Sequence, residues 1–258
     1  MKINPGTAAL VLAGLALAAG ARADEWEFGT DTDNSAATDN ALAHGAVQLH
    51  DVVRFPEPDQ DWYRVPVDPL SSFQFVLDGM TGDMDFVGSS LQRLGADAVT
   101  VLGSALVEGD GGILSLDWIT GQSSPAANFV RVQGASCSSL CDALDRYRAR
   151  FLETTYTVPR FNNTGSQATV LLVQNTSART CGVATFLLAA DGSVSGGGPA
   201  TLAPGQLLVF NLAGSAPNQS GSIRIAHGCG YGGLAGKAVA IEPATGFTFD
   251  TPLVPRPY

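Results

Sequence analysis

Arg146-Tyr-Arg-Ala-Arg-Phe-Leu-Glu-Thr-Thr-Tyr-Thr-Val-Pro-Arg160 is the stretch on which the fold turns. Arg146, Arg148 and Arg150 alternate with Tyr147, Ala149 and Phe151. A period of two puts guanidinium groups on one face and apolar groups on the other, as in a half-buried β-strand. Residues 154–158 remain β-prone, but Pro159 cannot donate to a ladder and Phe161-Asn-Asn-Thr-Gly165 is turn chemistry. The stretch reads as the last strand of one β domain, a short tether, and the entry to a second.

Short β-prone runs lie on both sides of it. Downstream, strands are expected at residues 168–174, 183–189, 206–212, 222–226, 237–242 and 247–250, with turns at Asn175-Thr-Ser, Asp191-Gly192 and Asn218-Gln-Ser-Gly221. Upstream, Val47 and Leu49 alternate with Gln48 and His50, and further strands are expected at 61–67, 73–77, 98–106, 113–119 and 129–133. Thirty Gly, fourteen Pro and a low charge density favour strands over helices. The fold class is therefore all-β: two antiparallel β-sandwiches in series, the first jelly-roll-like and the second immunoglobulin-like. The first spans residues 43–155 and the second 156–258.

Ahead of them, Lys2, an apolar run over residues 7–19 and Ala21-Arg22-Ala23 make residues 1–23 a secretory signal peptide. That run is too short for the roughly 20 residues that cross a bilayer, so no membrane span is expected. Residues 24–42 form an acidic lead-in, extended unless something ties it down. Removing residues 1–23 takes away Lys2 and Arg22, leaving 12 cations against 24 anions, a net charge of −12. That sign disfavours nucleic acid, which needs a cationic face. The product is expected to be secreted or held at the cell surface.

Within the first half, three stretches carry a family likeness. They are Gly45-Ala-Val-Gln-Leu-His-Asp51, Asp59-Gln-Asp-Trp-Tyr-Arg-Val65, and Phe73-Gln-Phe-Val-Leu-Asp78 leading to Gly82-Asp-Met-Asp85. This half resembles the bacterial pre-peptidase C-terminal domain. The resemblance implies a non-catalytic β-sandwich that accompanies secreted proteins, often proteases, although no protease domain is present here. It also implies calcium, which some members bind through acidic residues at the domain's N-terminal edge. The second half resembles the small β modules appended to secreted bacterial proteins, without pointing to one family.

Four cysteines in an exported chain read as two disulfides. Pairing within each half, Cys137 with Cys141 and Cys181 with Cys229, is the economical choice among three connectivities. His227, Cys181 and Cys229 lack the second ligand pair of a structural zinc site. No G-x-S-x-G, H-E-x-x-H, P-loop or G-x-G-x-x-G motif is present. Glycoside hydrolysis needs only two carboxylates, and Glu153 and Glu242 each follow an apolar strand, but an acid there reads first as a solvated strand end. Asp31, Asp33, Asn34 and Asp39, or Asp83 and Asp85, offer oxygen ligands for calcium, against the plainer reading of solvated acidic loops. Trp62 and Tyr63, with Trp118, suggest an aromatic platform, although adjacent strand residues face opposite ways. Arg146, Arg148 and Arg150 form a cationic stripe that suits an acidic loop of the second domain, an acidic partner or plain solvent. The expected function is binding of an extracellular protein or polysaccharide without chemistry. Self-association through exposed strand edges, giving an assembly subunit, is the alternative, and a carboxylate hydrolase comes third.

Overall fold

A computed structural model describes residues 33–51, 60–79, 81, 84–85, 90–106, 112–123, 127–133, 136–137 and 145–256. The proposed signal peptide, Asp31, Asp83 and Cys141 lie outside them, as do the side chains of Asp85 and Cys137. Strands dominate, and the one helical element described is the 3-10 turn Leu212–Gly214. No helix among the described residues is long and apolar enough to cross a membrane.

The first sandwich holds β1 (Val47–Asp51), β2 (Gln60–Pro66), β3 (Ser72–Asp78), β4 (Met84–Asp85), β5 (Ser90–Leu94), β6 (Val101–Leu106), β7 (Leu114–Ile119), β8 (Ala127–Gln133), β9 (Ser136–Cys137) and β10 (Arg146–Glu153). One antiparallel sheet runs β1-β10-β3-β7 and the facing one β2-β8-β5-β6, with β4 and β9 paired as a small ribbon. As expected, β10 buries Tyr147, Ala149 and Phe151. Phe151 stacks on Phe73 at 5.5 Å and on Trp118 at 6.0 Å, and these rings lie in the core of this half.

The acidic lead-in is tied down from residue 33 onward. Trp62 N–H donates to the Asp33 carbonyl, Arg64 N–H to that of Asn40, and Leu42 N–H to that of Arg64. Leu42 is fully buried in the core. The first sandwich thus begins ten residues earlier than the lead-in's polarity suggests, because its backbone runs alongside β2.

The second sandwich holds β11 (Tyr156–Asn162), β12 (Ala168–Asn175), β13 (Cys181–Ala189), β14 (Val194–Leu202), β15 (Leu207–Asn211), β16 (Ser220–His227), β17 (Leu234–Glu242), β18 (Phe247–Pro252) and β19 (Val254–Pro255). Its sheets run β14-β13-β16-β11-β19 and β15-β12-β17-β18. An immunoglobulin sandwich seats its first strand beside the second and its seventh beside the sixth. Here β11 lies beside β16 and β17 beside β12, so the first and seventh strands have exchanged sheets. Residues 192–198 read as a flexible Gly-rich loop, yet most of them belong to β14. At Gly197, φ is +116° and an added Cβ would lie 2.0 Å from the Thr185 carbonyl oxygen, so only glycine fits this close strand pairing. Cys181 and Cys229 form a disulfide with Cα atoms 5.0 Å apart, buried in the second core.

The tether is two residues long. Thr154 and Thr155 separate β10 from β11, and both are buried. Thr154 N–H donates to the Ser72 carbonyl at 2.8 Å, and Ser72 N–H donates to Thr155 Oγ1 at 2.9 Å. Every side chain of β3 is buried, because its outer face is covered as well. There Gln74 Oε1 accepts from Tyr231 N–H at 3.0 Å, a contact between the two sandwiches.

Candidate functional site

The phase of β1 is the opposite of what hydrophobicity predicts. Val47 and Leu49 are 55% and 53% exposed, while His50 is fully buried. The inverted phase sends His50 into the first sandwich, where it meets Asp33 from the lead-in and Asp61 from β2. His50 Nδ1 lies 3.5 Å from Asp33 Oδ2 and 3.5 Å from Asp61 Oδ1. Asp33 is fully buried and Asp61 is 2% exposed.

A second ring of groups orients these three. His50 Nε2 lies 3.2 Å from Gln48 Oε1, and Gln48 Nε2 donates to the Ala41 carbonyl at 3.4 Å. With the amide oxygen turned toward the imidazole, the tautomer protonated at Nε2 satisfies this contact. Tyr147 O–H donates to Asp61 Oδ2, which leaves Tyr63 O–H to donate to the Tyr147 oxygen at 3.0 Å. Burial, then the nearby Asp61 carboxylate, push the Tyr147 phenol well above its ordinary pKa, so it remains a donor. Asn40 Nδ2 reaches Asp33 Oδ2 at 3.4 Å, while Asn40 Oδ1 is buried and accepts no hydrogen bond among the described residues. Among the described calcium candidates, Asp33 joins this cluster and Asp39 is exposed.

The aromatic platform is not a surface. Tyr63 faces the core, and Trp62, on the opposite face, is covered by Phe129 and by the Arg131 guanidinium 5.1 Å from its ring centroid. Trp118 is likewise capped by Arg93 at 5.1 Å. Strand alternation forbids both residues facing one core, but long cationic side chains bury the outward one. The cationic stripe is also engaged within its own sheet. Arg148 Nε donates to Asp78 Oδ1 at 2.8 Å, and Arg150 pairs with the other oxygen of the same carboxylate on β3. The second domain does not receive these two arginines; Arg146 N–H donates to Thr81 Oγ1 at 3.1 Å.

Glu153 is buried at the joint rather than solvated. Arg256 Nη1 reaches Glu153 Oε1 at 3.3 Å and Ser71 Oγ at 2.8 Å, and its Nη2 lies 2.8 Å from Asp68 Oδ2. Glu242 sits instead at the far end of the second sandwich, accepting from Ser166 Oγ at 2.6 Å. The length of β11, roughly 20 Å, separates them, twice the widest spacing of a glycosidase pair.

His227 also lies at the joint, stacked on Tyr156 at 5.6 Å, with Nδ1 accepting from Cys229 N–H at 3.2 Å. With Cys181 and Cys229 in a disulfide, it has no thiolate partners for zinc. Burial holds its imidazole down at about 4, the neighbouring Thr154 carbonyl opposing and Arg179 adding to the shift. An unfolded chain takes up this proton near pH 6.5, so between 6.5 and about 4 the unfolded state binds more protons and stability decreases as the pH is lowered. The expected loss from this group is about 3 kcal/mol on acidification to pH 4. Urea unfolding at several pH values checks it: His227→Gln should show a shallower acid slope than wild type, and equal slopes would refute it.

At the other end of the second sandwich the sheets do not close. β19 pairs with β11 only through Tyr156–Pro255 and Thr157–Val254, and β18 is the edge of its sheet. Phe249 pairs with Ala240 and Phe247 with Glu242, on the same face of the sheet as buried Ala238. No described strand covers these two rings, and Phe247 is 66% and Phe249 61% exposed. They wall a groove of about 230 Å³ floored by Phe161, Thr169 and Ala238 and rimmed by Arg160 and Glu242. Exposed phenylalanines on an inward-facing phase are the signal for this groove, and the strand pattern at 247–250 already contains it.

No protein-family model matches the chain, and no curated protein matches it. Among solved structures it is similar to the full extracellular region of zebrafish Gpr126/Adgrg6, with 8% identity over 81% of this chain and 30% of that one, at a TM-score of 0.25. A β-glucuronidase from glycoside hydrolase family 2 shares 13% identity over 86% and 26%, at 0.22. The CUB1-EGF-CUB2 domains of rat MASP-1 share 6% over 72% and 99%, at 0.24. The chain spans less than a third of the first two. At these TM-scores none carries an argument about this chain.

Proposed function

We propose that this chain is an exported, non-catalytic binding protein whose ligand surface is the edge groove of the second sandwich, and that its ligand is an extended apolar segment of an extracellular protein. The open groove walled by Phe247 and Phe249 carries this reading. A β18 edge with no partner strand among the described residues, beside apolar walls, offers backbone hydrogen bonds and side-chain pockets together, the two requirements of strand addition. Export is supported by residues 1–23 and by the Cys181–Cys229 disulfide, which persists in oxidising compartments. The non-catalytic reading is supported by the burial of the Asp33, His50 and Asp61 cluster and by the separation of Glu153 from Glu242.

The test is selection of a displayed random-peptide library on the full chain, beside a polysaccharide array. Selected peptides are expected to alternate apolar and polar residues. Phe247→Ser with Phe249→Ser should weaken them at least tenfold, since each buried aromatic contributes about 1.5–3 kcal/mol, and should leave the melting temperature unchanged. Retention of polysaccharides alone would overturn the peptide ligand. Retention of neither, with concentration-dependent self-association, would favour an assembly subunit that uses the same edge.

A further inference from the structure

We propose that Asp33, His50 and Asp61 bind a divalent transition ion of the zinc type, which clamps the 33–42 segment onto the first sandwich. His50 Nδ1 and one carboxylate oxygen each of Asp33 and Asp61 lie within 4.8 Å of one another, and all three residues are buried. Two buried carboxylates facing one imidazole nitrogen are satisfied by a proton held among them or by a metal ion.

Distance decides between them. A charged N–H donor approaches a carboxylate to about 2.7–2.9 Å, whereas both contacts of Nδ1 are 3.5 Å. Tetrahedral ligands about 2.0–2.1 Å from zinc stand roughly 3.4 Å apart. The observed spacing is that of ligands around an ion. Each ligand also has the outer partner that metal ligands require: Gln48 for His50, Tyr147 for Asp61, Asn40 for Asp33. Asn40 Oδ1, buried and accepting no hydrogen bond among the described residues, is the candidate fourth donor. An imidazole in a set of three or four donors disfavours calcium, which takes about six to eight oxygens. Because the cluster is buried, the ion's role is structural. The inverted phase of β1 follows: Val47 and Leu49 are left exposed so that His50 reaches the site.

The full chain, freed of metal with a chelator and then given Zn²⁺, should take up one equivalent and rise in melting temperature by about 10 °C. Co²⁺ should give the visible absorption of a four-coordinate ion. His50→Gln should take up no equivalent and show no melting response to zinc. Should that variant fail to fold, Asp33→Asn, which removes the ligand on the 33–42 segment, takes its place and should likewise lose the melting response to zinc. A wild-type chain whose melting ignores both chelator and zinc would overturn the site and leave a protonated His50 between two carboxylates. Zinc uptake undiminished in folded His50→Gln would place the ion elsewhere, and stabilisation by Ca²⁺ but not Zn²⁺ would overturn the ion class.

Discussion

Replacing Cys181 and Cys229 together by alanine is expected to lower the stability of the second sandwich by about 4 kcal/mol. The bridge closes a loop with a sequence separation of 48, and cross-linking a loop of that length removes this much entropy from the unfolded chain on the loop-closure model. For both sandwiches melting as one unit of roughly 200 residues, that corresponds to a fall in melting temperature on the order of 10 °C. Scanning calorimetry of the double variant measures it directly. A fall of only a few degrees would mean that the packing around β13 and the turn after β16 already restrains this loop.

The second large effect is expected from Phe151→Ala, at about 3–5 kcal/mol. Phe151 is fully buried and stacks on both Phe73 and Trp118, so its removal leaves a cavity lined by rings that cannot collapse together. Phe151→Leu, which keeps most of the volume, should cost less than half as much. Compared with the cysteine variant, this substitution also reports on the joint. A two-residue buried tether and the grip of Arg256 on Ser71, Asp68 and Glu153 predict that the sandwiches unfold together. Both variants should then lower one shared transition. Two transitions, each lowered by only one variant, would show that the joint transmits little stability.

Most of the fold is legible wherever alternation and burial agree. β10 follows its sequence period residue by residue, and the six strands expected in the second half all appear with their ends moved by a few residues. β14 is not legible, because glycine carries no side-chain pattern, and Gly196 and Gly197 sit where neighbouring backbone approaches closely. The exchange of β11 and β17 between sheets is a matter of tertiary pairing that no local pattern encodes. The buried cluster escapes for a stronger reason: its ligands come from a lead-in, a strand with inverted phase and a third segment, with no fixed spacing. Only Asp33 stands among the acidic residues that composition singles out. The groove is half visible, since Phe247 and Phe249 alternate plainly, but their exposure is a matter of tertiary packing that the local pattern does not encode.

Arg256 follows β19, and its side chain reaches Ser71, Glu153 and Asp68, all on the first sandwich, while its N–H donates to the Thr155 carbonyl in the joint. A pull applied at Arg256 therefore bears on the first sandwich's frame before it strains the two rungs that hold β19 to β11. Tension is carried past the second sandwich rather than through it. Its groove would keep its shape under a load that passes along the chain.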